Sequence, residues 1–317
     1  MSRNFPDAPL YERYEQWMAQ HGRKYINSVE KEKRFNIFKD NLEYIDKFNN
    51  GGNRTYKLGV NKFSDLTSEE FLAYYTGFKI STQPSSLNAT RFRYEALTEE
   101  LPGTMDWRER GAVTDVKNQG TCGACWAFSA TAAIEGAIQI KTGNLISLSE
   151  QQLVDCSKNG NVGCGGGNMN NAFRYILQNN GIATEETYPY QEADGTCDQQ
   201  KASTISAQIT EILSISPGDE AQLLQAVATQ PVSIGISSSP DFQHYESGVF
   251  TGQCGTDLNH AVTAVGYGTS DDGIKYWLMK NQWGPDWGEG GYMRIQRDSG
   301  VGGGLCGLCS MASYPTV

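Results

Sequence analysis

The run Gln119-Gly-Thr-Cys122-Gly-Ala-Cys125-Trp126 narrows what this chain can fold into more than any other stretch. Strong helix formers at a period near 3.6 residues follow Cys125, whereas the preceding Val-Lys-Asn-Gln-Gly is typical of a loop. We therefore predict that Cys125 lies at or near a helix N-terminus, where unpaired N–H groups and the helix dipole favour a thiolate. Gln119, six residues upstream, suggests an oxyanion donor beside that nucleophile.

Length and cysteine content limit the class of protein. The chain has 317 residues, enough for two domains or for one large domain with an extension. No apolar run reaches the roughly 18 residues that a membrane span needs, so we predict none. The N-terminus lacks the apolar stretch of a signal peptide, yet eight cysteines suit an oxidising compartment. Both facts fit a vacuolar, lysosomal or extracellular protein of the secretory pathway whose leader has been removed.

The charge is unevenly distributed along the chain. Residues 1–100 contain 15 Lys and Arg against 14 Asp and Glu, whereas the remaining residues contain 11 against 22. Because the acidity lies wholly in the C-terminal two-thirds, we expect no nucleic-acid partner.

The first hundred residues have mostly helical patterns. Amphipathic helices are predicted at 10–20 and at about 29–48, the second capped by Asn27 or Ser28, and a third over 67–75. Residues 54–60 alternate like a short strand. From about residue 81 to 100 the chain is rich in Ser, Thr, Pro, Asn and charge, which predicts an exposed linker open to proteolysis.

A different pattern begins near residue 101. Helices are predicted at 124–141, 149–156 and 168–180, and from about residue 203 strand-like segments dominate. A helix-rich half followed by a strand-rich half predicts an α+β fold with two lobes.

Three motifs in order carry a resemblance to a known family. Cys122-Gly-Ala-Cys125-Trp126 is followed 135 residues after Cys125 by His260, in Leu-Asn-His-Ala-Val, and then by Asn281, in Lys-Asn-Gln-Trp-Gly. From about Leu101 to the end the chain resembles papain-like cysteine proteases. The resemblance implies a helical left lobe at about 110–210 and an antiparallel β-barrel right lobe at about 211–317, with no cofactor.

The resemblance also implies a role for each residue of the site. Cys125 would be the nucleophile of an endopeptidase that acts through a thioester, and His260 would pair with it and protonate the leaving amine. Asn281 would accept the other imidazole N–H, with Trp283 shielding that bond. The Gln119 amide and the Cys125 backbone N–H would form the oxyanion hole.

The histidine count supports this choice of base, since the chain has only three. His260 opens an apolar, alternating strand, whereas His21 and His244 lie in polar segments. We expect His21 and His244 to be solvated surface residues.

The eight cysteines have a second interpretation. Cys122-x-x-Cys125 and Cys306-x-x-Cys309 could form a four-thiolate zinc site, but they lie far apart and lack the residues of a zinc knuckle, so we expect no metal. The resemblance instead implies the disulfides Cys122–Cys164, Cys156–Cys197 and Cys254–Cys306. Cys309 is then left as a buried free thiol.

The resemblance places the substrate along Gly166 and Gly167, whose extended backbone would pair with a peptide. Asn259, next to the candidate base, is also assigned to substrate binding. The pocket for the second residue before the cleaved bond (P2) would be lined by Asn168, Met169, Gly235, Leu258, Ala261 and Met311. This apolar pocket predicts a preference for Leu, Val or Phe at P2 and poor use of Arg.

Residues 1–100 resemble the inhibitory prosegment of the same family, which would make residues 101–317 the mature enzyme. Two motifs are complete: Glu30, Arg34, Phe38, Asn41, Ile45 and Asn49 form the first, and Gly59, Asn61, Phe63 and Asp65 the second. The prosegment would cross the cleft in the non-productive direction, with Thr76, Gly77 and Phe78 over Cys125 and Phe78 near the P2 pocket. Activation would cut near residues 95–101.

Acidic pH is expected to release the prosegment, because protonation of Asp65 and other carboxylates would weaken its pairing. Asn53-Arg-Thr and Asn88-Ala-Thr are glycosylation sequons. Two residues depart from the family pattern: Gln282 stands where Ser is usual, and Asn259 where some relatives have Asp. Both are expected to affect the pH profile.

The expected partners are peptide and protein substrates, the protein's own prosegment and cystatin-type inhibitors, and the protein is expected to be a monomer. Two other functions remain open. One is a catalytically silent homologue with a storage or binding role, and the other is an acyltransferase that uses the same Cys–His pair.

Overall fold

The computed structural model describes residues 10–80, 90–91 and 100–317. The N-terminal part forms helices α1 (Leu10–Gln20), α2 (Ser28–Asn50) and α3 (Ser68–Tyr75) and strand β1 (Tyr56–Leu58). Asn27 caps α2, since its side chain accepts the Glu30 backbone N–H at 2.9 Å. A reciprocal capping box between Thr67 and Glu70 opens α3. The three predicted helices and the short strand are confirmed.

The N-terminal helices pack around a small core of their own. Tyr14, Trp17, Phe38 and Leu42 are all buried in it. The Trp17 indole donates to the Asn61 carbonyl at 2.9 Å, which joins α1 to the loop before α3. Burial of these aromatic side chains lets a short segment hold its shape.

The residues of the first prosegment motif tie α2 to the following loop. Arg34 donates to the Glu70 carboxylate at 2.6 Å and to the Asp65 carbonyl at 3.0 Å. Asn41 donates to the carbonyls of Ser64 and Leu66, each at 2.9 Å. The other motif residues support the same arrangement: Glu30 pairs with Arg34, Phe38 and Ile45 are buried, and Asn49 exchanges two hydrogen bonds with Leu58.

The helical lobe contains α4 (Cys125–Thr142), α5 (Glu150–Cys156), α6 (Met169–Gln178) and the short α7 (Gln199–Ala202). The N-terminal two-thirds of α4 is almost entirely buried, because the helix lies between this lobe and the sheet. Cys122–Cys164 and Cys156–Cys197 are disulfides of this lobe, and Cys254–Cys306 lies in the other. These are the three pairs that the resemblance implies. Cys309 is a buried free thiol.

The second lobe is built on a sheet, with α8 (Glu220–Thr229) and α9 (Pro240–His244) beside it. Its strands are β2 (Thr90–Arg91), β3 (Met105–Asp106), β4 (Glu211–Ser214), β5 (Val232–Ile236), β6 (Tyr245–Phe250), β7 (His260–Thr269), β8 (Lys275–Lys280), β9 (Tyr292–Gln296) and β10 (Ala312–Thr316). The order is β1-β6-β9-β8-β7-β5-β10-β4-β2, with β3 paired to β7. In the described residues the pairings are antiparallel except β6 with β9 and β2 with β4.

The N-terminal segment joins this sheet through its own strand. β1 pairs antiparallel with β6, Tyr56 opposite Gly248. Gly248 has φ +94°, and a Cβ there would clash with the Thr55 carbonyl, so the close approach requires glycine. β1 thereby covers an edge of the sheet.

The predicted linker lies mostly outside the described residues, as does Asn88, whereas Asn53 is exposed. Within the linker, the backbone of Thr90–Arg91 pairs with β4. Among the described residues, no helix has both the length and the apolar character for crossing a membrane.

Candidate active site

Cys125 is the first residue of α4, as the sequence predicts, but its thiol is fully buried. Burial raises the pKa of Cys125 to about 12, although backbone N–H groups, that of Ala261 foremost, act in the opposite direction. The predicted thiolate is therefore wrong for this form of the chain. The helix dipole is present, but burial outweighs it.

His260 begins β7, and its ring is held on two sides. Its Nε2 lies 2.9 Å from Asn281 Oδ1, and its ring stacks on Trp283 with a centroid distance of 4.5 Å. Nδ1 is buried and has no hydrogen-bond partner within the described ranges. Burial lowers the pKa of His260 to about 4, and the Asn281 hydrogen bond acts in the opposite direction. Cys125 and His260 are therefore both neutral in this structure.

The Gln119 side chain is fully buried, and its amide is already engaged. Its Nε2 donates to the Tyr75 carbonyl at 3.3 Å and to the Cys122 carbonyl at 3.0 Å. The Trp283 indole donates to the same Tyr75 carbonyl at 2.9 Å. The Tyr75 carbonyl oxygen of the N-terminal segment thus accepts a hydrogen bond from the side chain that is predicted to donate in the oxyanion hole.

Residues 76–79 cross the cleft between the two lobes, held by their backbone. On one wall, the N–H groups of Gly77 and Phe78 both donate to the Asn259 carbonyl, at 3.0 and 2.9 Å. On the other, Gly167 donates to the Gly77 carbonyl at 2.9 Å and accepts from the Lys79 N–H at 2.8 Å, a parallel bridge. A Cβ at residue 77 would clash with the backbone of Gly123, so the passage over Cys125 requires glycine.

Phe78 fills the apolar pocket beside this passage. Only 5% of its surface is exposed, and it belongs to the same core as Met169, Leu258 and Ala261. Its ring lies against Gly235, where a Cβ would come within 3.1 Å of it. The other residues predicted for substrate binding complete the surroundings: Met311 packs at the margin, the Asn168 amide donates to the Lys79 carbonyl at 3.2 Å, and Gly166 faces the Gly77 carbonyl.

Comparisons with known proteins agree with this geometry. A model of the papain family cysteine protease matches residues 101–316. The chain belongs to the papain family of cysteine proteases. A model of the cathepsin propeptide inhibitor domain (I29) matches residues 14–71, so this papain-family endopeptidase carries its inhibitory propeptide.

Several relatives are plant cysteine proteases of similar length. The senescence-specific cysteine protease SAG12 of Arabidopsis thaliana is 52% identical over 314 residues, 97% of this chain and 90% of the relative. The recombinant stem bromelain precursor superposes with a TM-score of 0.90 at 44% identity, covering 98% and 99% of the two chains. The ragweed pollen allergen Amb a 11 in its proform gives 0.88 at 43% identity, covering 97% and 94%.

Prosegment and protease also meet away from the cleft, at α9. Asp241 accepts hydrogen bonds from the hydroxyls of Tyr44 and Tyr56, the latter at 2.6 Å. The Gln243 amide donates to the carbonyls at positions 63 and 66, each at 2.9 Å, and the Gln243 carbonyl accepts from Asn61 at 2.7 Å. The sequence analysis missed Asp241 and Gln243. No local pattern marks them, because their partners lie about 180 residues away in the chain.

His244 corrects another expectation. It is 2% exposed rather than solvated, and its carbonyl accepts the Gly59 N–H at 2.7 Å. Nδ1 of His244 has no partner among the described residues, and burial lowers its pKa to about 4. His21 is half-buried beside Trp17, so it is not fully solvated either.

Asp65, by contrast, lies within the prosegment rather than at its interface. It is 2% exposed, accepts from the Tyr25 hydroxyl at 2.8 Å and pairs with Arg23 at 3.3 Å. The second motif therefore stabilises the fold of the prosegment. Its links to the protease run through Asn61 and the Phe63 carbonyl, both bound to Gln243, and through the Gly59 N–H, which donates to the His244 carbonyl.

Proposed function

We propose that this zymogen matures into an endopeptidase in which Cys125 attacks the scissile carbonyl carbon. A thioester forms as the C–N bond breaks, His260 protonates the leaving amine, and water then hydrolyses the thioester. The Asn281 oxygen at Nε2 supports this assignment, since it leaves Nδ1 free to exchange a proton with the thiol. Departure of the prosegment would rehydrate both groups and favour the thiolate–imidazolium pair.

The oxyanion hole in this proposal consists of the Gln119 amide and the Cys125 backbone N–H. The hydrogen bond from Gln119 to the Tyr75 carbonyl supports it, because a buried amide that donates to one carbonyl oxygen can donate to another. Trp283 would then lose a hydrogen bond on activation, since its indole shares the same acceptor.

The observation that carries the proposal is Phe78 in the apolar pocket while its backbone pairs with Gly167. The segment occupies the place of a substrate, with an aromatic side chain where P2 would lie. A substrate would pair with Gly167 in the antiparallel direction. Because the prosegment pairs in the parallel direction, its peptide bonds would not take up the orientation in which a substrate bond is cleaved. We infer that this reversed direction protects the prosegment from cleavage at Cys125.

The P2 preference is tested on the matured enzyme with peptides that differ only at P2. Leu and Phe should be cleaved at least about tenfold faster than Arg, because an unpaired guanidinium would have to enter an apolar pocket. A Cys125→Ala variant controls for contaminating proteases. Faster cleavage of the Arg peptide would refute the pocket assignment.

Acid activation is proposed to occur in a vacuolar or other acidic secretory compartment. Incubation of the proform at about pH 5 should give a product whose N-terminus lies near residues 95–101, and incubation at pH 7 should give little. N-terminal sequencing identifies the cut. Equal rates at both pH values would contradict the proposal.

A catalytically silent homologue would have the same fold, so the site itself must be tested. After acid treatment, an epoxide thiol inhibitor should label one mole of Cys125 per mole of protein. Labelling without peptide hydrolysis would favour the binding role. Transfer of the acyl group to an added amine in preference to water would favour the acyltransferase.

A further inference from the structure

Gln282 occupies a position behind the catalytic histidine where the resemblance leads one to expect serine. Its side chain is 4% exposed and folds back toward the start of β7. Its carbonyl accepts the Gln119 backbone N–H at 2.9 Å, so the residue also joins the two walls of the cleft.

The backbone of Gln282 fixes the orientation of Asn281. Its N–H donates to Asn281 Oδ1 at 2.9 Å, and the same oxygen faces His260 Nε2 at 2.9 Å. Because Oδ1 must accept from both neighbours, the amide cannot be flipped, and Nε2 carries the ring hydrogen. Nδ1 is then the nitrogen that gains and loses a proton during the reaction.

The side chain of Gln282 adds a second effect. Its Nε2 donates to the Ala261 carbonyl at 2.8 Å and lies 3.3 Å from His260 Nε2. Since both nitrogens carry hydrogens in this tautomer, the contact sets one N–H donor against another. A positive charge on the ring makes that contact less favourable.

Charged side chains do not obscure the effect of the Gln282 amide on the pKa of His260. Among the described residues, burial lowers the pKa of His260 and the Asn281 hydrogen bond acts in the opposite direction, with no charged side chain contributing. The Cys125 thiol, against the Ala261 N–H, and Tyr75, which presents its carbonyl to Trp283, are titratable neighbours. Both are neutral in the proform, the thiol and the phenol each having a raised pKa through burial. Gln282 and Asn281 also line a small cavity with four charged side chains, those of Lys117, Glu135, Glu150 and Lys280, none of which contributes to the pKa shift of His260.

We propose that Gln282 is a positioning residue that selects the His260 tautomer through its backbone and disfavours the protonated ring through its side-chain amide. This proposal rests on the proposed function, in which Cys125 and His260 react as a thiolate–imidazolium pair. As the pH rises, the His260 imidazolium therefore loses its proton, and the ion pair is lost, at a lower pH than it would be with serine at this position. The enzyme is thereby restricted toward the acidic side of its range.

The test uses the matured enzyme with glutamine, serine or methionine at residue 282. Both Gln282→Ser and Gln282→Met remove the amide donor, and methionine keeps the length of the side chain. In each variant the alkaline limb of kcat/KM should move up by about 0.5–1 pH unit. The alkaline limb of thiol modification by a disulfide reagent should move by the same amount, which a loss of packing alone would not produce.

Gln208→Met is the matched control. Gln208 is exposed and donates to the Asn180 carbonyl at 2.9 Å, so the change is chemically alike but remote from the site. Its alkaline limb should equal that of the unaltered enzyme. An unmoved or lowered limb in either variant at residue 282 overturns the proposal about Gln282. Absence of Cys125-dependent hydrolysis in the unaltered enzyme would instead overturn the proposed function.

Discussion

The buried imidazole of His244 predicts how pH weakens the prosegment–protease interface. The residue ends α9, where its carbonyl accepts the Gly59 N–H of the prosegment, and burial alone lowers its pKa from 6.5 to about 4. When the prosegment leaves and water reaches the ring, the pKa returns toward 6.5. The released state then binds more protons than the docked state between these two values.

The sign and size of the pH effect on prosegment docking follow from this difference between the two pKa values of His244. The docked state has its full stability above pH 6.5 and loses it as the pH falls toward 4, because protonation then favours release. At pH 5 the two values give a factor of about 30 in the release equilibrium, or about 2 kcal/mol. At pH 7.5 the same residue contributes about 0.1 kcal/mol or less.

Hydrogen exchange in the full proform measures this equilibrium directly. A Cys125→Ala background prevents self-cleavage, and amides of α1 and α2 report opening of the prosegment. Between pH 7.5 and 5, after correction for intrinsic exchange, the opening free energy should fall by about 2 kcal/mol more than in a matched His244→Gln protein. His260 titrates alike in both proteins, so its contribution cancels.

His21→Gln serves as the control for replacing a histidine. His21 is half-buried within the prosegment and does not lie on α9, so its replacement should leave most of the pH dependence in place. Equal pH dependence with and without the His244 imidazole would refute the reasoning. Glu70 also titrates, and its pKa is lowered because hydrogen bonds from Arg34 and Thr67 together outweigh burial. Its effect on stability therefore falls at a lower pH than that of His244, below about pH 4.5.

Three further outcomes are expected. Phe78→Ala should weaken prosegment docking by about 3 kcal/mol or more, seen as faster thiol labelling of the proform at pH 7, whereas exposed Lys79→Ala should not. Asp241→Asn should cost about 1–2 kcal/mol in the same assay, because one of its two tyrosine hydroxyls loses a carboxylate acceptor. In the native proform at pH 8, neither Cys125 nor Cys309 should react with a thiol reagent, and prosegment removal should expose the former alone, since burial raises the pKa of both.

Features set by neighbours in the chain were predictable. The cap at Asn27 and the capping box at Thr67 place two helix starts to within a residue. The three disulfide pairs could not be derived from spacing and came from family resemblance, as did the position of Phe78 in the cleft. Resemblance therefore supplied long-range information that periodicity lacks.

Features set by distant parts of the chain were not predictable in the same way. The segment Phe-Gln-His244-Tyr-Glu looks polar and solvated, yet His244 is buried, and a strand nearly 190 residues upstream pairs with the strand that begins at Tyr245. The predicted Cys125 thiolate failed for the same reason. A local argument from the helix dipole was sound, but it left out the burial of the thiol in the folded chain, which raises the pKa.

The prosegment contacts the protease in two regions, the cleft and α9, and the two differ in the chemistry of their contacts. In the cleft, residues 76–79 are held over Cys125 by backbone hydrogen bonds and by the Phe78 ring. At α9, the interface instead contains a carboxylate, an amide and a buried imidazole. The helices α1 and α2 and the loop before α3 pack as one unit. We therefore expect a weaker contact at α9 to loosen residues 76–79 over the cleft as well. We therefore expect a pH signal to reach Cys125 through α9 while Cys125 and His260 themselves remain neutral and covered.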